Sequence, residues 1–180
     1  MILGLTGTNA SGKGTTAAYL EKKGFRYYSL SDELRKLIAR RKVPATRENL
    51  IEAGRYYRER YGRGYLASVV AKKIKKNENA VIDSIRNLGE VRKLKRLKNF
   101  HLIALDAPIR IRFLRARKRG SRRDQDTLSE FIARERQELY GRGPGQQIIA
   151  CARKADFRIN TKDGYAKLYK KIDDILAKLK

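Results

Sequence analysis

The sequence predicts one α/β domain spanning residues 1–180, built on a parallel sheet, and three observations lead to it. Short apolar runs alternate with stretches of helical period along the whole chain, the pattern of βαβ units. A glycine-rich loop, Gly7 to Gly14, joins the first apolar run to the first helical stretch, a strand–loop–helix junction. The length, 180 residues with 41% hydrophobic, suits a single core.

Each element follows from local pattern. Strand one is Ile2–Thr6, and a helix opens at Gly12 and runs to about Lys23. Strand two is Phe25–Ser29. Helices are expected from Ser31 to Arg41 and from Thr46 to Lys76, separated at Pro44 and broken near Gly62 and Gly64. Strand three is Ala80–Asp83 and strand four Phe100–Asp106. A helix follows over Ile109–Lys118, and Thr127-Leu128-Ser129-Glu130 is a capping box that opens another. Gly141, Gly143, Pro144 and Gly145 mark a loop, and strand five is Phe157–Asn160. In the last helix Tyr165, Leu168, Tyr169, Ile172, Ile175, Leu176 and Leu179 form one apolar face. No internal repeat or low-complexity linker interrupts this order.

Composition narrows the function classes. No apolar run approaches the roughly 20 residues of a membrane span. Met1-Ile2-Leu3-Gly4-Leu5 has no basic flank or cleavage site and reads as a strand, not a signal peptide. The single cysteine, Cys151, fits a reducing, cytoplasmic location, and without Cys or His companions it is no zinc site. Lys and Arg number 44 against 19 Asp and Glu, a net charge of +25. Such a charge draws polyanions, among them nucleotides, RNA and acidic surfaces, and leaves the choice among them open.

The loop Gly7-Thr8-Asn9-Ala10-Ser11-Gly12-Lys13-Gly14-Thr15 carries the chemistry. Glycines let backbone N–H groups curl around phosphate oxygens, and the helix start adds partial positive charge. Lys13 would place an ammonium on the β- and γ-phosphates of ATP. A hydroxyl is then needed for Mg²⁺. Gly14 fills the usual Ser/Thr position, so Thr15, one residue on, is the candidate. Asp83 ends an apolar run as a metal-anchoring carboxylate would, and Asp106 is its rival at another strand end.

The Gly-Lys-Gly-Thr ending resembles the adenylate kinase branch of the nucleoside-monophosphate kinase family. Ser29-Leu30-Ser31-Asp32-Glu33-Leu34-Arg35 is similar to that family's Ser-Thr-Gly-Asp-x-Leu-Arg segment, with Leu30 and Ser31 in place of Thr-Gly. The resemblance implies that Arg35 grips the acceptor phosphate, beside Ser31. Asp83-Ser84-Ile85-Arg86-Asn87 resembles the family's Asp-Gly-Phe-Pro-Arg segment. That implies Asp83 anchors the Mg²⁺ shell through water and Arg86 contacts the transferred phosphates. Gly4-Leu5-Thr6-Gly7 and Ala155-Asp156-Phe157-Arg158-Ile159-Asn160 also resemble dephospho-CoA kinase. The whole pattern is similar to small kinase-like proteins related to the P-loop portion of some deoxycytidylate deaminases.

These resemblances imply a P-loop fold with strand order 2-3-1-4-5 and helices on both faces, an acceptor-binding segment at about 30–75 and a lid at about 119–146. Arg110, Arg112, Arg115, Arg117, Lys118, Arg119, Arg122 and Arg123 crowd one helix and its continuation, where like charges weaken a helix unless an anion offsets them. Arg115 and Arg119 have the family's spacing of two arginines bracketing ATP, and the lid would bring Arg122 and Arg123 to the transferring group. Lys13, Arg86, Arg119 and Arg123 are therefore the expected catalytic cations. Asp32 reads as a helix N-terminal residue before a catalytic base, and His101 as structural. Tyr56, Tyr57, Tyr61 and Tyr65 read as core, with stacking on an acceptor base as the alternative.

The expected activity is ATP-dependent phosphoryl transfer to a nucleoside or deoxynucleoside monophosphate. A dephospho-CoA kinase would carry a carboxylate pair after strand two, where this chain has Leu30 and Asp32. The third reading is a nucleotide- or RNA-binding P-loop protein with little kinase activity.

Overall fold

The computed structural model of the chain describes residues 1–119 and 127–179. In chain order its elements are β1 (Ile2–Gly7), α1 (Lys13–Lys22), β2 (Arg26–Ser29), α2 (Leu30–Ala39), α3 (Arg47–Tyr61) and α4 (Tyr65–Ala71). Then come β3 (Ala80–Ile85), α5 (Leu88–Leu94), β4 (Phe100–Asp106), α6 (Ile109–Lys118), α7 (Leu128–Leu139), α8 (Ile148–Arg153), β5 (Phe157–Asn160) and α9 (Tyr165–Lys178).

The five strands form one parallel sheet in the order β2-β3-β1-β4-β5, the order the resemblance implied. The first strand is central, with Leu3 beside Val81 on one side and His101 on the other. Alternation along the strands feeds two cores. Leu3, Leu5, Val81, Ile103 and Leu105 pack under α1 and α9 with Leu20, Leu168 and Ile172. Ile82, Ile85 and Leu102 face the other way, onto Leu34, Tyr57, Leu66, Val70, Val91 and Leu94. A strand sheet covered on both sides reads as nearly unbroken apolar sequence, which is why strands one, three and four were plain in the sequence.

Several boundaries differ from expectation. The third strand runs two residues past Asp83, to Ile85, because Thr6 Oγ1 donates to the Ile85 carbonyl (2.8 Å) and holds the strand end in the sheet. The long helical block ends at Ala71 instead of Lys76, and its break at Gly62–Gly64 is where expected. Two short helices, α5 and α8, were not read from the sequence. A capping box announces the first of them: Asn87 caps, and Glu90 returns its carboxylate to the Asn87 N–H (3.0 Å). The expected box at Thr127 and Glu130 does open α7. All strands point their carboxyl ends the same way, so the loops after β1, β2, β3 and β4 meet at one rim, where parallel α/β sheets hold their ligands.

Candidate phosphate-transfer site

The loop between β1 and α1 has the backbone of a phosphate cradle. Gly7 takes φ +143° and lies so close to the fourth strand that a Cβ there would sit 2.1 Å from the Leu105 carbonyl oxygen. Ala10 and Gly12 also have positive φ, so the chain curls back on itself before Lys13 starts the helix. Thr8 Oγ1 ties the loop to Asp106 (3.2 Å). The Ser11 and Thr16 hydroxyls are buried and lack a hydrogen-bond partner among the described residues, polar groups left for something else to satisfy.

Lys13 is folded into this curl. Its Nζ donates to the carbonyls of Gly7 (2.9 Å) and Thr8 (2.7 Å). Burial pushes its pKa down to about 8; Asp83 pulls it back up, while Arg86 and Arg119 add to the depression. The ammonium is thus expensive to keep charged until an anion joins it. Asp83 is buried at the end of β3, accepts from the Ser84 N–H and lies 3.5 Å from the Tyr27 hydroxyl. Burial, followed by the Asp83 charge, pushes that phenol up to about 12. The rival Asp106 is 71% exposed and pairs with Arg112 (3.7 Å). Ser84 follows Asp83 at φ +66°, the left-handed region that favours glycine and costs a side-chain-bearing residue about 1–2 kcal/mol.

Two pockets flank the loop. The first, of about 250 Å³, is lined by Gly7, Asn9 and Lys13 of the loop, by Ser31 and Arg35, and by Ser84 and Arg86. The expected acceptor residues Ser31, Arg35 and Arg86 therefore converge on the same cavity as Lys13. Arg47, Arg58, Glu138 and Gln146 complete its polar wall, and Leu30, Leu34, Leu50, Ile51, Leu66 and Ile148 supply an apolar one. The second pocket, about 210 Å³, is lined by Gly12, Thr15, Arg115, Lys118, Arg119, Thr161 and Tyr165. Arg115 donates to the Thr161 hydroxyl (2.8 Å) and carbonyl (2.6 Å), which locks it beside the loop. Thr15 lines this pocket, and no hydrogen bond joins it to Asp83, the other metal candidate. Arg122 and Arg123 lie outside the described residues.

Several residues of the site were not read from the sequence. Glu138 on α7 takes hydrogen bonds from Arg47 and stands 3.6 Å from Arg86, so one carboxylate gathers two guanidiniums from distant segments. Gln146 Oε1 accepts from Arg86 Nη1 (3.1 Å). Glu90, fully buried, accepts from Arg58 Nε (2.8 Å) and from the Arg86 N–H (2.8 Å), which fixes the backbone that carries Arg86. The Asn87-x-x-Glu90 capping pattern could have found it; nothing in the chain marks Arg47 or Glu138.

Other candidates resolve as structural. Asp32 sits in the first turn of α2, its N–H held by Ser29 Oγ (3.2 Å), and its carboxylate pairs with Arg35. None of the four tyrosines lines the first pocket, so they do not stack on an acceptor there: Tyr57 is buried, and Tyr56 and Tyr61 are exposed away from it. Arg112, one of the crowded arginines, is buried against Glu135 and the Ala107 carbonyl and is a packing residue. His101 meets Phe157 on the sheet, and burial pushes the Cys151 thiol up to about 12. Among the described residues no helix is long and apolar enough to cross a membrane.

Comparison with known proteins agrees with this geometry. Residues 3–142 match a family described as an AAA domain. A UPF0200 protein of Pyrococcus abyssi is 33% identical over 187 aligned residues, covering 99% of this chain and 97% of that protein. The chain belongs to the UPF0200 family. Among solved structures, shikimate kinase from Bacteroides thetaiotaomicron superposes with a TM-score of 0.63 at 15% identity, covering 98% of each chain. Shikimate kinase from Acinetobacter baumannii, solved with shikimate, gives 0.57 at 20% identity, covering 99% of this chain and 94% of that one. At such identities the likeness is one of fold. The UPF0200 chain thus shares the fold of these two small-molecule kinases.

Proposed function

We propose that the chain transfers a phosphoryl group from ATP to a nucleoside or deoxynucleoside monophosphate. One observation carries the reading: Lys13, Arg35, Arg47, Arg58 and Arg86 line a single pocket together with the apolar side chains of Leu30, Leu34, Leu50, Ile51, Leu66 and Ile148. An acceptor with an anionic head and a flat, weakly polar body suits such a pocket. The one carboxylate on its wall, Glu138, is engaged by Arg47 and Arg86, and Asp32 is turned to Arg35. Among the described residues no carboxylate without such a partner lines the pocket to deprotonate a hydroxyl, whereas a phosphate acceptor arrives already anionic and needs no base. This favours a monophosphate over the ribose hydroxyl of dephospho-CoA.

In this reading ATP lies with its phosphates in the β1–α1 loop and its nucleoside in the second pocket, between Thr15, Arg115 and Arg119. Lys13 leaves the Gly7 and Thr8 carbonyls for the β- and γ-phosphates. Arg35 and Arg86 hold the acceptor phosphate in line, Arg119 adds charge from the donor side, and Arg123 is assigned the same role from its place in the sequence. Catalysis then rests on positioning and charge stabilisation by these side chains.

The donor set fits a magnesium ion that enters with the nucleotide. Among the described residues no group of three or more His, Cys, Asp or Glu could hold one unaided. A buried carboxylate, Asp83, and the unpartnered Ser11 and Thr16 hydroxyls stand at the loop instead. When bound, the ion would neutralise charge between the two terminal phosphates; Asp83, with Thr15 as the expected hydroxyl, would hold its shell. Asp83→Asn should then weaken the Mg²⁺ dependence of turnover more than Asp106→Asn does, and the reverse order would move the metal to the fourth strand. The decisive experiment measures ADP formation from ATP with a panel of nucleoside and deoxynucleoside monophosphates and dephospho-CoA. Turnover only with dephospho-CoA, or with none of them, would defeat the proposal.

A further inference from the structure

The turn between α3 and α4 is pressed against α5 by two facing glycines. A Cβ on Gly89 would lie 2.3 Å from the Arg63 Cβ and 2.6 Å from the Arg63 carbonyl carbon. On Gly64 it would lie 3.1 Å from the Gly89 carbonyl oxygen. Only residues without side chains permit this approach. Its result is a surface pocket of about 370 Å³, lined by Arg63, Gly64, Gly89, Arg92, Lys93 and Arg96. Its charged lining is entirely cationic, and none of Arg63, Arg92, Lys93 or Arg96 makes a side-chain hydrogen bond or ion pair among the described residues. Arg92 and Lys93 on α5 and Arg96 in the turn just after it place like charges around one pocket, where they repel.

Carboxylates are scarce on this surface, where 44 Lys and Arg meet 19 Asp and Glu, and some cations find one. Lys95, next to them in sequence, pairs with Asp156 at 2.8 Å, and elsewhere Lys23 pairs with Asp173, Lys36 with Glu33 and Lys171 with Asp163. The cluster is a place where carboxylates are missing, and an anion would offset the repulsion.

A second feature closes α3, just before this turn. Tyr61, two residues before Arg63, is 51% exposed. Tyr65 stacks beneath it (centroids 4.9 Å, 29° between planes), and the Arg60 guanidinium lies 5.9 Å from its centroid. An exposed ring held by another ring is a platform for a planar, weakly polar group. Neither feature touches the phosphate loop or its two flanking pockets.

From these two features we infer that the α3–α4 turn and α5 form a binding site for single-stranded nucleic acid, separate from the phosphate-transfer site. Arg63, Arg92, Lys93 and Arg96 take successive backbone phosphates, and an unpaired base lies on Tyr61. Phosphate charge supplies most of the affinity, and stacking selects unpaired over paired bases, because a duplex hides its base faces.

The test uses fluorescence anisotropy with labelled oligo(U) and oligo(dT) of about twelve nucleotides and an RNA duplex of equal length, across a salt series. Arg92→Ala, Lys93→Ala and Arg96→Ala combined should reduce the salt slope by ~2, at about 0.7 per single-strand phosphate contact. Removing the same charge from α9, by Lys167→Ala, Lys170→Ala and Lys178→Ala, should leave the slope within a fraction of that change. Tyr61→Ala should weaken oligonucleotide binding about tenfold without altering the slope, and Tyr61→Phe should restore it. Lys13→Ala and saturating ATP should leave binding intact. Binding of oligo(U) alone, or of both strands, identifies RNA or either sugar as the ligand and supports the site. Equal losses in the α9 control would reduce the effect to overall charge. Duplex binding as tight as single-strand binding, with no effect of Tyr61→Ala, would also overturn the proposal.

Discussion

Lys13 shows how one side chain stores the condition for ligand binding. Its folded pKa, about 8, lies below the ordinary lysine value of 10.5 because burial disfavours the ammonium. Bound phosphates favour it, so the pKa must rise in the complex. Below pH 8 the lysine is already protonated and binding takes up no proton from it. Above pH 8 each complex requires a proton, and ATP affinity should fall with pH, by up to about tenfold per unit. Calorimetry of ATP binding at pH near 8.5, in buffers of different ionisation heat, should show proton uptake that Lys13→Ala abolishes; equal heats after buffer correction would contradict it. The sign for stability is opposite. The unfolded chain binds this proton more tightly than the folded one, so the lysine's contribution to stability rises from pH 8 towards 10.5. Arg35 and Arg86 make a simpler case. Changing either to Ala should raise the acceptor KM or lower kcat by roughly 10-fold or more, the cost of a lost charge-assisted hydrogen bond. Unchanged acceptor kinetics in both variants would remove the main support for a monophosphate acceptor.

At the level of elements, glycines decide where helices can approach. Gly89 lets the α3–α4 turn lie on α5, and Gly89→Ala would drive a methyl into the Arg63 backbone. The loss should be about 1–3 kcal/mol, an overpacking cost, read as a lower urea midpoint with an unchanged slope. Gly14 offers the contrast. It lies in the first turn of α1, and a Cβ there meets nothing within 4 Å. Gly14→Ala should therefore stabilise the ligand-free protein by about 0.5–1 kcal/mol through helix propensity. If both substitutions shift the midpoint in the same direction, the packing around α5 has been misjudged. The same elements explain what Glu90 does: by capping α5 and holding both Arg58 and the Arg86 N–H, it makes the helix start and the arginine's backbone one unit.

For the whole molecule, the charge of +25 sets the response to ions. Mutual repulsion opposes the compact state, and at low ionic strength it is barely screened. The urea midpoint should rise when KCl goes from about 0.02 to 0.3 M, since the Debye length then drops well below the spacing of surface clusters. Phosphate at equal ionic strength should raise it further, because it also occupies the loop around Lys13. A midpoint that falls with salt would mean that the ion pairs on the surface outweigh the repulsion.

Much of the architecture was legible because it rests on local periodicity. Strands buried on both faces are unbroken apolar runs, and the β1–α1 loop declares itself through glycines whose φ values no other residue adopts easily. Lys13 stood out in the loop's own pattern, whereas Arg35 and Arg86 were named only from the resemblance of their segments to a known family. Two short helices escaped, since six or seven residues give too little period to see. The four tyrosines looked like one group, yet the helix turns Tyr57 into the core and Tyr61 to solvent. Sequence alone thus determined the α/β domain, the phosphate loop and the surplus of positive charge, which are properties of composition and near neighbours. Only the tertiary structure decided which arginines share a pocket. Arg47, Arg86 and Glu138 come from segments far apart in the chain, and Arg63 shares a pocket with Arg92 and Arg96 because Gly64 and Gly89 let the α3–α4 turn lie close against α5.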